Sequence, residues 1–184
     1  MKKLDLFIEK YEADFIRSAK IDSEIIKKIK ILYQCALAVK KNNKKILIFG
    51  NGGSAAMASH FSVDMTKTSK VRTVNFNESD LLTCFSNDYG YENWVKQCIE
   101  FYADKEDSVI LISSSGNSQN MINAAKLAKK KKLNLITFTG FKNSNRLKKY
   151  GDLNFWVDSS IYNHIENVHQ YWLLLLSDLI AFKK

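Results

Sequence analysis

The chain has 184 residues, 46% of them hydrophobic and 26% charged, with 28 lysines and arginines against 19 acidic residues for a net charge of +9. That length suits one domain, 1–184, with a core large enough to need no staples. The positive charge is nearly all lysine, with only Arg17, Arg72 and Arg146 able to make planar bidentate contacts, so it reads as a solvated surface that attracts small anions, and it argues against a nucleic-acid partner.

Asp5, Glu9, Glu12 and Asp14 interrupt the N-terminal stretch and exclude a secretory signal. The most apolar run, 171–176, is far too short to cross a bilayer, so no membrane partner is expected and the cytoplasm is the expected location. Cys35, Cys84 and Cys98 form no CxxC pair, and each lies in an apolar or amphipathic segment. They read as buried free thiols of a reducing compartment.

In chain order, residues 1–42 have a helical pattern. Leu4, Phe7, Tyr11 and Phe15 make one stripe, and Asp22 or Ser23 can cap a second helix faced by Ile25, Ile26, Ile29, Leu32, Tyr33, Ala36 and Leu37. Such a pair must cover the core or meet its counterpart on another subunit. From residue 45 short apolar runs take over, at 46–49, 71–76, 109–112, 133–138 and 153–157. They alternate with helical stretches at 54–66, 79–87, 92–103, 118–130 and 143–149. Unalternated runs followed by turn residues are the pattern of parallel strands covered on both faces, and the alternation predicts an α/β, doubly wound sheet. A last helix begins near Tyr162 and is apolar almost all round from Val168 to Ile180. Such a helix is expected to be buried, with the interface between subunits one place for it.

Ligands of an open parallel sheet bind beyond the carboxyl ends of its strands, where strand order reverses. Two loops there are rich in small polar residues. Gly50, Asn51, Gly52, Gly53 and Ser54 bring backbone N–H groups close to a ligand and open a helix. Ser113, Ser114, Ser115, Gly116, Asn117 and Ser118 offer hydroxyls, and Ser118 is placed to cap the next helix. A dinucleotide fingerprint is partly met by Gly50, Gly52, Ala55 and Glu78, but it leaves the serine loop without a role. A nucleotide P-loop needs GxxxxGK, which neither loop has, so no nucleotide cofactor is expected. Two such loops together read as a neutral cradle for a phosphate.

His60 and Asp64, four apart on one helix face, can act as metal ligands or as an acid–base pair. His164, Glu166 and His169 gather at the start of the last helix, and a helical His-x3-Asp with Glu-x2-His could hold a metal. The alternatives are a hydrogen-bonded surface pair and a contact with the helix dipole.

The stretches GNGGSAAMASHFSVDM, CFSNDYGYENW and ISSSGNS resemble the sugar isomerase (SIS) domain, and within it the phosphoheptose isomerases, over nearly the whole chain. These convert sedoheptulose 7-phosphate to the aldoheptose 7-phosphate. The resemblance implies a five-stranded, flavodoxin-like parallel sheet and a homotetramer packed through the N- and C-terminal helices, with active sites shared between subunits. It implies phosphate contacts from Ser54, Ser113, Ser115 and Ser118 and sugar contacts from Asn51, Ser114 and Asp88, with Gly52 and Gly53 in the same loop. It further implies a zinc, or another divalent metal, whose ligands fall on His60, Asp64 (also the proton-abstracting base), Glu166 and Leu174. Glutamate, glutamine and histidine are the family's residues at the last three positions, and its arginine falls on Thr68. Leucine can neither bind metal nor move a proton, which makes His169 the nearest replacement acid.

The expected function is that of a phosphosugar aldose–ketose isomerase serving heptose biosynthesis for a surface glycan, lipopolysaccharide or capsule. Asp64 is the expected base, and His60 with Glu166 or His169 the expected metal or carbonyl partner. Two other expectations are a non-catalytic SIS module that binds phosphosugars or proteins, and an isomerase for another phosphorylated sugar, such as an amino sugar.

Overall fold

A computed structural model describes residues 1–182. Two helices lead in, α1 (Lys2–Ala19) and α2 (Ser23–Lys41). The core then runs β1 (Ile46–Phe49), α3 (Gly53–Lys67), β2 (Thr73–Val74), α4 (Ser79–Tyr89), α5 (Trp94–Tyr102) and β3 (Ser108–Ser113). It continues with α6 (Gln119–Lys130), β4 (Asn134–Thr139), a 3-10 turn (Leu147–Lys149), β5 (Leu153–Trp156) and α7 (Tyr162–Phe182). The five strands form one sheet in the order β2-β1-β3-β4-β5, and every pairing is parallel.

Side chains alternate across each strand, so β1 and β3 feed two cores. Ile46, Ile48, Ile110 and Ile112 point to the layer of α2, α3 and α7. Leu47, Phe49, Val109 and Leu111 point to the layer of α5 and α6, where Phe49 stacks on Phe76 with ring centroids 5.2 Å apart. Burial on both faces is why these runs lack polar alternation. Strand order reverses between β1 and β3, so their carboxyl ends open one crevice. At the opposite end the two strands are clamped: Lys45 N–H donates to Asp107 Oδ1 (2.9 Å), and Lys45 Nζ lies 2.7 Å from Asp107 Oδ2 and 2.6 Å from Asp104.

Three expectations change. The run 71–76 yields only a two-residue edge strand. The Thr66 hydroxyl donates to Thr73 O and accepts from Thr73 N–H, and beyond the strand Asn77 Nδ2 donates to Ala55 O and Ser59 Oγ. The stretch 143–149 is not a helix but one 3-10 turn. Asn145, buried, donates to Gly140 O and Lys142 O and accepts from Lys148 N, offering the backbone an alternative to helical bonds. Cys84 is exposed, not buried, and its thiol donates to Asp88 Oδ2 (3.6 Å).

The second helix starts as its cap predicts, with Asp22 Oδ1 accepting from Ile25 N–H at 2.8 Å. The first stripe divides. Tyr11 and Phe15 pack edge-on against His164, while Leu4 and Phe7 stay 56% and 62% exposed, and α1 buries none of its residues fully. Among the described residues no helix is long and apolar enough to cross a membrane.

Candidate active site

The β1 and β3 loops meet at the crevice. Asn51, Ser54, Ser113, Ser114, Ser115 and Ser118 wall a cavity of about 110 Å³, joined by Ile112, Tyr162 and Glu166. Sites for drug-sized ligands enclose roughly 300–1,000 Å³, so this one suits a phosphoryl-sized head group with the remainder extending outward. A cavity of about 570 Å³ between α1 and the loops after β4 and β5 is larger, but Asp14, Arg17, Lys142 and Asp158 give it both charge signs and no convergent donor set.

Local sequence builds the cradle. The first turns of α3 and α6 leave N–H groups without intrahelical partners, and both ends open onto this crevice. Ser118 precedes α6, and its hydroxyl pairs with Ser113 Oγ at 3.0 Å instead of capping the helix. Ser114 Oγ is buried and makes no hydrogen bond of ordinary geometry. Gly116 has φ +65°, and a Cβ there would fall 2.1 Å from Asn145 Oδ1, so only glycine lets the serine loop turn.

The cavity has one ionisable carboxyl, Glu166. Burial raises its pKa above the ordinary carboxylate range, and the Ser114 hydroxyl beside it pulls partly back. Among the described residues, no lysine or arginine lines the cavity.

His60 and Asp64 sit elsewhere on α3. His60 Nε2 lies 3.4 Å from Asp64 Oδ2, with the two side chains 50% and 36% exposed. Gln170 of α7 brings Nε2 to 3.3 Å from His60 Nδ1. The two ring nitrogens of His60 thus each face a polar neighbour, Asp64 on one side and Gln170 on the other. Ser54 and Asp64 are ten residues apart, about 15 Å along the helix. The pair therefore does not line the cradle of its own chain.

His169 is not at the site. It is wholly buried, edge-on to Phe138, with Nε2 donating to Thr139 O at 3.1 Å. Burial pushes its pKa down to about 4, with the Thr139 carbonyl partly opposing. Three residues turn a helix by about 300°, so His169 faces the core while Glu166 faces the cavity. Asp88 is exposed on α4 and accepts from Asn87 and Cys84, outside the cavity wall.

The ligand set that the resemblance implied does not converge within one chain. Glu166 stands at the cradle, Leu174 has no donor atom, and among the described residues no group of three His, Cys, Asp or Glu side chains could hold a metal. His60 and Asp64 alone do not fit a zinc ion.

Three contributors escaped the motifs, Asn120, Tyr162 and Gln170, while Tyr91 lies within the 84–94 stretch without having been singled out. Asn120 and Asn51 exchange amide hydrogen bonds across the crevice, at 3.1 and 2.8 Å, and Tyr91 Oη donates to Asn51 Oδ1 at 3.1 Å. The one signal for Asn120 was its place in the first turn after the Ser118 cap.

With the crevice described, comparison is direct. The model of the SIS domain matches residues 11–140. The chain belongs to the SIS domain family. This SIS chain is 31% identical to the phosphoheptose isomerase of Glaesserella parasuis over its full length and 98% of that protein. It is 36% identical to the phosphoheptose isomerase of Aliarcobacter butzleri over 73% of this chain and 74% of the other. Its fold superposes on the phosphoheptose isomerase GmhA of Neisseria gonorrhoeae with a TM-score of 0.88 at 27% identity, covering 96% and 99% of the two chains. The five-stranded parallel sheet and the terminal helix are thus those of the SIS fold.

Proposed function

We propose that the chain is an aldose–ketose isomerase of a phosphorylated sugar, with sedoheptulose 7-phosphate as substrate, serving surface-glycan heptose biosynthesis in the cytoplasm. The observation that carries this reading is the serine cradle: hydroxyls of Ser54, Ser113, Ser115 and Ser118 with two helix N-termini, at the switch point of a sheet whose full-length relative is a phosphoheptose isomerase. N–H groups and hydroxyls there can hold the phosphate, and Asn51, Ser114 and Tyr162 flank the path of the sugar chain.

The chemistry is a proton transfer. A base removes a C1 proton from the ketose, the C2 oxygen gains one, and the resulting enediol is reprotonated at C2 as O1 gives up its own. Asp64 is the base of this reading, with His60 Nε2 3.4 Å from its carboxylate. The distance of about 15 Å along α3 exceeds the reach of a heptose phosphate seated on the same chain's cradle. That supports a site completed by a second copy, whose α3 presents His60 and Asp64 to this cradle. The exposed Leu4, Leu6, Phe7, Ile8 and Ile16 of α1 support the same homotetrameric packing. A divalent metal at His60 and Asp64 would need further donors from such a neighbour, and no step above passes through one.

The test is incubation of the purified protein with sedoheptulose 7-phosphate while aldose is followed. Aldose should accumulate. No turnover beside an active control isomerase would remove the heptose reading. One observation, Leu174 in place of a proton-transferring residue, favours a second reading, a phosphosugar-binding module. An Asp64→Asn variant indistinguishable from wild type in every ligand assay, beside an inactive wild type, would support it.

A further inference from the structure

We infer that Asn120 is a positioning residue, which with Tyr91 orients the Asn51 amide so that it presents an N–H donor, and not a carbonyl acceptor, to an oxygen of the bound sugar. The inference rests on the phosphosugar reading above and concerns a residue outside the serine and glycine motifs.

Hydrogen-bond parity between the two amides sets this orientation. Amide oxygen and nitrogen are assigned from their network, and here a backbone donor fixes the assignment. Met121 N–H donates to Asn120 Oδ1 at 3.0 Å, so that atom is an oxygen. Its neighbour across the crevice, 3.1 Å away, is then Asn51 Nδ2. The second arm follows: Asn120 Nδ2 donates to Asn51 Oδ1 at 2.8 Å, and Tyr91 Oη donates to the same oxygen at 3.1 Å. Both acceptor sites of Asn51 Oδ1 are filled. One Nδ2 hydrogen is used, and the other has no protein acceptor among the described residues. Asn51 lines the cavity, so the group it has left to offer is a donor.

Asn120 is suited to this because it cannot turn. It is 2% exposed in the first turn of α6, whereas Asn51 sits in a loop and is only partly buried. A flipped Asn51 would set its Nδ2 against Asn120 Nδ2 and its Oδ1 against Asn120 Oδ1, losing both bonds to Asn120, while the Tyr91 hydroxyl would turn to accept. The preference therefore belongs to the partners. A donor fits a sugar carbonyl or hydroxyl oxygen, and it would favour an oxygen that gains negative charge during enolisation.

Calorimetric titration with inorganic phosphate, and separately with sedoheptulose 7-phosphate, tests this. Asn120→Ala should leave inorganic phosphate binding unchanged and weaken the sugar phosphate by about tenfold, the worth of roughly one hydrogen bond. Tyr91→Phe, at a residue 52% exposed, should weaken it by about threefold. In an Asn51→Ala background neither change should matter further, because both act through that amide. Equal losses for phosphate and sugar phosphate, or additive losses in the Asn51→Ala background, would overturn the inference. If Asn120→Ala does not fold, the Tyr91→Phe and Asn51→Ala cycle decides alone: non-additive losses support it, and additive ones overturn it. A wild-type chain that binds neither ligand would overturn the phosphosugar reading itself and this inference with it, a result distinct from the others.

Discussion

The carboxylate of Glu166 occupies the space where a side chain on Gly53 would begin: a Cβ at position 53 would lie 2.3 Å from Glu166 Oε2. The last helix thus sets an acid against the opening turn of α3, inside a cradle with no other charged side chain among the described residues. A like charge about 6 Å from a bound anion opposes it by roughly 1.4 kcal/mol at an effective dielectric constant near 40, which is about tenfold in affinity. Glu166→Gln should therefore bind inorganic phosphate about tenfold more tightly than wild type at pH 8. Because burial raises the Glu166 pKa, the gap should narrow as pH falls and the wild-type carboxyl protonates. Calorimetry at several pH values measures both effects.

Ser118 and Ser113 share one hydroxyl contact at the mouth of α6. Ser118→Ala should weaken phosphate binding by about tenfold, the loss of one hydrogen bond to a charged ligand. Circular dichroism should be unchanged, since the Ser118 side chain makes no capping bond.

Asp64 is at the surface beside His60, so its loss leaves no buried group unpaired. Asp64→Asn should lower isomerase kcat by at least about 10²-fold, the usual scale for removing a general base. Sugar phosphate affinity should stay within about twofold, because asparagine keeps the size of the side chain and the serine cradle that holds the phosphate is untouched. Single-turnover kinetics and titration separate the two readouts.

His169 couples stability to acidity. Its folded pKa of about 4 lies below the ordinary 6.5, so between these values the unfolded chain holds the extra proton. Its contribution is fully present above about 6.5 and is lost as pH falls toward 4, in total about 3 kcal/mol. His169→Gln keeps a donor for Thr139 O without a titrating ring. Denaturant midpoints from pH 7 to pH 4.5 should fall more steeply for wild type than for the variant.

Much of the fold was legible because β1, β3 and β4 are largely apolar runs between turn residues, the pattern of strands buried on both faces, and β5 (Leu153–Trp156) follows them at the edge. Both cradle loops were legible because serine and glycine crowd at strand ends, where little else explains them. What was hidden depends on facing across space. Asn120 and Gln170 are ordinary helix residues until α6 and α7 bring them to Asn51 and His60. His169 looked like a candidate acid in sequence, yet a rotation of about 60° from Glu166 sets it in the core. The edge strand was overread because 71–76 has strand-like composition but only β1 beside it, so two residues suffice for its ladder.

The clamp at Lys45 has a bearing on the far end of the sheet. Ser108 N–H also reaches Lys45 O there, at 3.1 Å, so a backbone bond and a buried carboxylate both pin β1 against β3 at the start of the two strands. Slipping one strand by a single residue would exchange its two faces and offset the glycine and serine turns by roughly 3.3 Å, enough to pull Ser54 out of line with Ser118. The alignment of the anion-binding edge is thus indexed from its opposite rim, the way a ruler is zeroed at the end that is not being read.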